Sequence, residues 1–266
     1  MSSLALSMIQ AHIYWEEKEK NLAAFSERLR ALPSETELVI LPEMFNTGFS
    51  MHAERLAEPI DGLTLSWMKA EAIFNKIIIT GSLIIREHDQ YFNRLIWMLP
   101  NGEFGMYDKR HLFAYAHEDH HFSPGKRRLI ASTKGWKVNL QVCYDLRFPV
   151  WARQQNFPGH NSEAEYDLMI YVANWPKARV NAWQTLLQAR AIENQCFVAG
   201  VNRVGEDGNQ IQYPGSSMLI DPLGNILFQA GDKEESFSYL LQRDALTGVR
   251  QKFPFLKDAD QFSINT

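Results

Sequence analysis

The chain has 266 residues, 45% hydrophobic and 22% charged, with a formal net charge of −4. This length fits one large α/β domain or two small ones, the composition is that of an ordinary globular protein, and the lack of a basic excess argues against a nucleic-acid partner. Two cysteines, Cys143 and Cys196, are too few for a disulfide-built secreted scaffold; with no signal peptide expected and no run near the ~20 apolar residues of a membrane helix, the expectation is a cytoplasmic protein without membrane partners.

In chain order, Leu4–Ile9 reads as a first strand, and Glu17–Arg30 has helical spacing at Leu22, Phe25 and Leu29. Glu37–Leu41 is a short apolar run stopped by Pro42. Leu65–Asn75 is again helical, and Lys76–Arg86, rich in β-branched residues, reads as strand. Phe92–Tyr107 is a hairpin centred on Pro100-Asn101-Gly102, where Asn-Gly supplies the positive φ angles of a type I′ turn. Gly135–Val142 is a strand, Pro149–Gln155 opens a helix, Tyr166–Val172 is a further strand and Asn181–Asn194 an amphipathic helix. The apolar run Cys196–Val204, a turn at Asp207-Gly208-Asn209 and a second hairpin around Pro222-Leu223-Gly224-Asn225 follow. Helices alternate with strands in both halves, and each half has a hairpin. The pattern predicts an α/β fold with two sheets sandwiched between helices; a single doubly wound sheet is the alternative.

Reactive groups in α/β sheets gather beyond the carboxyl ends of strands. Three apolar runs end this way, in Pro42-Glu43, in Cys143-Tyr144-Asp145 and in Ala173-Asn174-Trp175-Pro176; Lys109 follows the Asn-Gly hairpin. Glu43 in isolation is a surface carboxylate, but one held by Pro42 and partly buried would suit proton shuttling. A lone cysteine is more often a small buried hydrophobe than a nucleophile. Cys143, however, sits at a strand-to-helix turn, where the amides of Tyr144 and Asp145 would form part of an oxyanion hole. Cys196, inside CFVAGV, reads as core. Lys109 beside a thiolate and a developing oxyanion would stabilise both, and such a donor need not support the core.

His117-Glu118-Asp119-His120-His121 formally matches H-E-x-x-H. A zinc hydrolase built on His117 and His121 needs both on one face of a stable helix plus a third ligand. Pro124-Gly125 cuts that helix short, and a polar loop with solvated histidines is the plainer reading. The remaining alternative class is a non-catalytic binding protein.

LPEMFNTGF around Glu43, YDKRHLF around Lys109 and CYDLRFP around Cys143, in that order, resemble the three signature segments of the nitrilase (carbon–nitrogen hydrolase) superfamily. The likeness runs from the first strand to YPGSSMLIDPLGNIL, and YVANWP and QARAIENQ place it nearest the ω-amidase, bacterial YafV-type branch. The resemblance implies a four-layer αββα sandwich of the nitrilase type and a single carbon–nitrogen hydrolase domain over residues 1–266. It implies Cys143 as nucleophile, Glu43 as general base, Lys109 as oxyanion stabiliser with the Tyr144 backbone, and Glu118 as a second glutamate beside them. No cofactor and no metal would be needed. The substrate implied is a small amide, the ω-amide of 2-oxoglutaramate or 2-oxosuccinamate, giving the dicarboxylate and ammonia; nearby branches act on other small amides and carbamoyl compounds. A homodimer through the helices near Pro149–Gln155 and Asn181–Asn194 is also implied. For the substrate's far carboxylate, Arg147 is a candidate, with a structural anchor slightly preferred for it. Phe113 and Trp175 are candidate pocket walls, with core packing as the rival reading, and Arg190 is expected to be structural, pairing with Glu193.

Overall fold

Apolar runs become strands and amphipathic segments become helices across residues 3–154 and 164–264, which the computed structural model describes. The strands are β1 (Ser3–Gln10), β2 (Leu38–Ile40), β3 (Ile78–Glu87), β4 (Gln90–Met98), β5 (Phe104–Asp108), β6 (Ile130–Thr133) and β7 (Trp136–Val142). They continue with β8 (Leu168–Ala173), β9 (Phe197–Asn202), β10 (Val204–Glu206), β11 (Gln212–Pro214), β12 (Met218–Ile220), β13 (Ile226–Gln229) and β14 (Glu235–Gln242). The helices are α1 (Lys18–Arg30), α2 (Ala53–Leu56), α3 (Leu63–Asn75), α4 (Glu118–His121), α5 (Pro149–Ala152), α6 (Val180–Asn194) and α7 (Arg243–Lys252).

Two six-stranded sheets form, in the orders β14-β1-β2-β3-β4-β5 and β13-β12-β9-β8-β7-β6. Each has a parallel centre, β1-β2-β3 in one and β7-β8-β9 in the other. Antiparallel strands extend both centres outward.

Side-chain alternation fixes the layers. Leu4, Leu6 and Met8 of β1 share one buried cluster with Val138, Leu140 and Val142 of β7, so the two sheets face each other. The intervening residues Ile9, Val39 and Leu41 pack on Leu22 and Phe25 of α1 and Met68 of α3. Behind the second sheet, a Cβ on Gly200 would come within 2.5 Å of Leu187 and 2.9 Å of Trp183. Glycine is what lets α6 settle this closely on β9. The result is the four-layer αββα sandwich, not one doubly wound sheet. Strands buried on both faces read as continuous apolar runs.

Two local expectations change. The turn between β4 and β5 is not type I′: Gly102 has φ +82°, whereas Asn101 is not among the residues with positive φ. Pro100 favours the ordinary negative-φ turn, and Asn101 Oδ1 accepts the Glu103 N–H at 3.0 Å, closing an Asx turn instead. The helix at Pro149 ends at Ala152, because Arg153 is extended (ψ 131°). Gln154 then donates its N–H to Asn194 Oδ1 at 2.9 Å, drawing the chain onto the end of α6; Gln155 lies outside the described residues. Strands β6 and β14 and helix α7 carried little sequence signal. In β14, ESFSYLLQ is mostly exposed or half-buried. Among the described residues no helix is long and apolar enough to cross a membrane.

Candidate active site

Four strand ends meet on one edge of the sandwich. Glu43 follows β2, and Met44 after it turns back with φ +43°. That turn is held by Ser82 of β3, whose Oγ accepts the Met44 N–H at 2.9 Å and whose carbonyl accepts the Phe45 N–H at 3.1 Å. Lys109 follows β5, with its N–H on the Asn93 carbonyl at 3.0 Å and its carbonyl accepting the Gly125 N–H at 2.9 Å. A Cβ on Gly125 would lie 2.0 Å from the Asp108 carbonyl oxygen, so this close approach requires glycine.

Cys143 follows β7 with φ +45°, an uncommon conformation for a side-chain-bearing residue that persists only when its surroundings enforce it. Asp145 supplies that enforcement. Its carboxylate accepts the Val142 N–H at 3.0 Å, the Tyr107 hydroxyl at 2.8 Å and the His111 N–H at 2.9 Å. From behind, Arg190 of α6 donates to the Leu146 carbonyl at 2.5 Å and to Glu193 at 2.9 Å. Arg190 is therefore structural and paired with Glu193, as expected, and it also braces the turn that carries the thiol.

The side chains converge. Lys109 Nζ lies 2.9 Å from Glu43 Oε1 and 2.9–3.0 Å from both oxygens of Glu118. Asn93 Nδ2 donates to Glu43 Oε1 at 2.8 Å and reaches Glu118 Oε1 at 3.3 Å. Asn174, just past β8, donates its N–H to Glu43 Oε2 at 2.8 Å and its side-chain amide to the Glu43 carbonyl at 2.6 Å. Cys143 Sγ lies 3.9 Å from the Asn174 carbonyl oxygen. Glu43 and Glu118 are fully buried, Lys109 is 1% exposed and Cys143 8%, so the thiol presents the largest exposed fraction of the four.

Two carboxylates and one ammonium share a dry pocket. Burial alone would push Lys109 down, but Glu118 and Glu43 outweigh it and hold the ammonium above its usual range. Burial raises Glu118, and Lys109 opposes that rise. Burial also pushes the Cys143 thiol well up; the Glu43 charge adds to this and Lys109 counters it. Lys109 is the counter-ion of both buried carboxylates. Its removal leaves two buried carboxylates without their counter-ion, a costly arrangement.

The HEDHH segment does not form a metal-ligand face. His117 has φ +59° and stands before the four-residue helix α4. Glu118 turns inward to Lys109, while His117 and His121 are exposed. Among the described residues no three His, Cys, Asp or Glu side chains are gathered as metal ligands.

A cavity of about 280 Å³ opens over Cys143, with Phe113, Tyr144, Arg147, Trp175, Arg179 and Tyr213 among its walls. Phe113 and Trp175 thus border the cavity. Trp175 is also core: it is 3% exposed, and its indole N–H donates to the Arg179 carbonyl at 2.8 Å. The Arg147 guanidinium lies 5.1 Å from the Trp175 ring centre. It finds no hydrogen-bond or ion-pair partner among the described residues, which leaves the anchor reading of Arg147 without an anchor. Cys196 is fully buried in the core. Sequence reading missed Asn93, Asn174 and Arg179 as parts of the site. Asn93 is a polar residue facing inward from an apolar strand, and Asn174 is the first polar residue past β8; both were visible but unassigned. A buried thiol beside a carboxylate and an ammonium, under a cavity, is equipped for acyl transfer to sulfur.

Residues 5–251 match the carbon–nitrogen hydrolase family model. Over 98% of its length the chain is 41% identical to the omega-amidase YafV of Yersinia enterocolitica, covering 99% of that protein. It is 29% identical to the 2-oxoglutaramate amidase of Bacillus subtilis over 95% of this chain and 96% of the relative. Among solved structures, XC1258 from Xanthomonas campestris, a CN-hydrolase superfamily protein with an arsenic adduct in its active site, superposes with a TM-score of 0.97 at 43% identity, covering both chains entirely.

Proposed function

The chain belongs to the carbon–nitrogen hydrolase family, and from that premise we propose that it is a cysteine-dependent ω-amidase. It hydrolyses the distal amide of small 2-oxo acid amides, 2-oxoglutaramate or 2-oxosuccinamate, to the dicarboxylate and ammonia. The observation that carries this reading is the cavity itself, lined by Cys143, by Lys109 that is paired with Glu43, and by the unpartnered Arg147 guanidinium. The names of the relatives from Yersinia enterocolitica and Bacillus subtilis support the same substrate class.

In this mechanism the thiol stays protonated until substrate arrives, because burial and the Glu43 charge both resist thiolate formation. Glu43 takes the proton as Cys143 sulfur bonds to the amide carbon. The carbonyl oxygen becomes an oxyanion, met by Lys109 and by the Tyr144 N–H; one such donor is typically worth about 3–4 kcal/mol of barrier. The carbon–nitrogen bond breaks as Glu43 returns the proton to nitrogen, and ammonia leaves. A water, deprotonated by Glu43, then adds to the thioester, the carbon–sulfur bond breaks, and the proton returns to the thiol. Glu118 holds Lys109 in place through both of its oxygens. Arg147 takes the substrate's carboxylate and fixes the distance from that end to sulfur, so binding energy there contributes to rate.

We read residues 1–266 as one catalytic domain acting in the reducing cytoplasm, where an unpaired reactive thiol survives. Two chains would pair through the α5–α6 face, where Val150 and Ile192 are exposed.

The test is kcat/KM, by ammonia release, for 2-oxoglutaramate against an amide of equal length without the carboxylate. At least a tenfold preference for the former is expected. Equal values would reduce the assignment to a cysteine carbon–nitrogen hydrolase of other specificity.

A further inference from the structure

Arg179 closes the short 3-10 turn Lys177–Arg179 that leads into α6. Its backbone is fixed at both polar atoms: the N–H donates to the Pro176 carbonyl at 3.0 Å, and the carbonyl accepts the Trp175 indole N–H at 2.8 Å. The side chain therefore leaves a fixed point beside Trp175. Its guanidinium lies 5.1 Å from the Phe113 ring centre and 5.9 Å from that of Tyr115, and it borders the same cavity as Cys143. Aromatic faces orient a guanidinium without consuming its five N–H donors.

Those donors are unspent. The Arg179 side chain has no hydrogen-bond or ion-pair partner among the described residues. Other arginines of this molecule are committed: Arg94 to Glu87 and Asp108, Arg128 to Glu165, Arg190 to Glu193. The acid on the cavity wall does not serve Arg179 either. Asp207 accepts the Tyr213 hydroxyl at 2.8 Å and the N–H groups of Asn209 and Ile211 at 2.8 and 3.0 Å. Arg147 and Arg179 are thus two guanidinium groups on one cavity, both set against aromatic rings and both without an internal anion.

We propose that Arg179 is a second cationic contact for the substrate and that it holds, together with Arg147, the 2-oxo acid end. This rests on the ω-amidase reading above. The chemistry fits two cations better than one. A carboxylate and its neighbouring keto oxygen offer three acceptors, and one guanidinium fork engages two of them. The second guanidinium serves the remaining oxygen and balances charge in a half-buried site. Arg179 is then a specificity-determining residue: it acts on the end of the substrate away from the reacting carbon.

The experiment compares wild type, Arg179→Gln and Arg179→Lys on 2-oxoglutaramate and on the carboxylate-free amide of equal length, with thermal melting as a control for folding. Arg179→Gln is expected to lower kcat/KM on 2-oxoglutaramate tenfold or more, in line with one lost charge-assisted contact. Its kcat/KM on the carboxylate-free amide should stay within about twofold, its melting temperature should be unchanged because the side chain makes no structural bond, and Arg179→Lys should recover part of the loss. A Gln variant with equal losses on both amides, or with no loss on 2-oxoglutaramate while wild type still prefers it, would overturn the role of Arg179 alone. A wild type with no preference for the carboxylate would overturn the substrate reading, and this inference with it.

Discussion

Around the Cys143 thiol nearly every reactive atom is already engaged. Lys109 is bonded to Glu43 and Glu118, Glu43 also to Asn93 and Asn174, and the turn carrying Cys143 is held by Asp145. At two arginines on the cavity wall the opposite holds: Arg147 and Arg179 lie over aromatic rings at 5.1 Å and are half-buried, with no hydrogen-bond or ion-pair partner among the described residues. This cluster is preorganised, so its groups need no rearrangement when charge develops. On the proposed reading, the substrate's carboxylate completes the two arginines. Substitutions in the cluster and at the arginines should therefore fail in different ways.

The largest effect is expected at sulfur. Cys143→Ala should lower amide hydrolysis by roughly 10⁴-fold or more, as removal of a nucleophile from a catalytic unit does. Cys196→Ala should keep most activity, since that thiol lies in the core away from the cavity. Comparable ammonia release by the two variants would break the distinction.

Glu43→Gln comes next, with a loss of about 10²–10⁴-fold, the usual range for a general base. It should also move the thiol in a direction that activity alone does not reveal. Burial is the main cause of the raised thiol pKa and the Glu43 charge the second, so removing the charge lowers it. Thiolate absorbance should then appear at lower pH in the less active enzyme. A thiol that titrates unchanged or higher would contradict the electrostatic account.

Lys109→Met should cost about a hundredfold or more in rate and, unlike changes at Arg147 and Arg179, should also lower the melting temperature. Leaving buried carboxylates without their partner typically costs about 3–5 kcal/mol. A variant that melts with wild type would show that the carboxylates do not depend on Lys109.

The smallest effect is on stability against pH. The native thiol of Cys143 is held above the ordinary value of about 8.5. The unfolded chain thus loses that proton first as pH rises. The stabilisation is complete below that value and is lost above it, with a slope of at most about 1.4 kcal/mol per pH unit. Melting of wild type should fall more steeply above that pH than melting of Cys143→Ala; parallel curves would contradict the shift.

Much of this was legible in the chain. Continuous apolar runs gave most central strands, because those strands are buried on both faces, and period-3.6 spacing gave the long helices. Glu43 and Cys143 stood out because each follows an apolar run, Lys109 because it follows the Asn-Gly hairpin, and Glu118 because three signature segments resemble a known superfamily. The rest depends on distance in space. Lys109 and Glu118 look like surface residues in sequence, and only the fold buries them against each other. Asn93 and Asn174 come from different sheets and acquire meaning only where the sheets meet at Glu43. Arg179 gave no signal, since its role follows from the rings beneath it and from the partners it lacks. The type I′ expectation at Asn101 failed because Pro100 and the Asn101 side chain together favour another turn.

The central claim is that chemistry and recognition rest on separate groups of residues in one cavity. The most direct test is the ratio of kcat/KM for 2-oxoglutaramate to that for the carboxylate-free amide of equal length, measured in Glu43→Gln and Arg147→Gln side by side. In Glu43→Gln both values should fall about a hundredfold or more with the ratio kept; in Arg147→Gln the value for the carboxylate-free amide should hold while the ratio collapses tenfold or more. A ratio that collapses in Glu43→Gln, or persists in Arg147→Gln, would contradict the account.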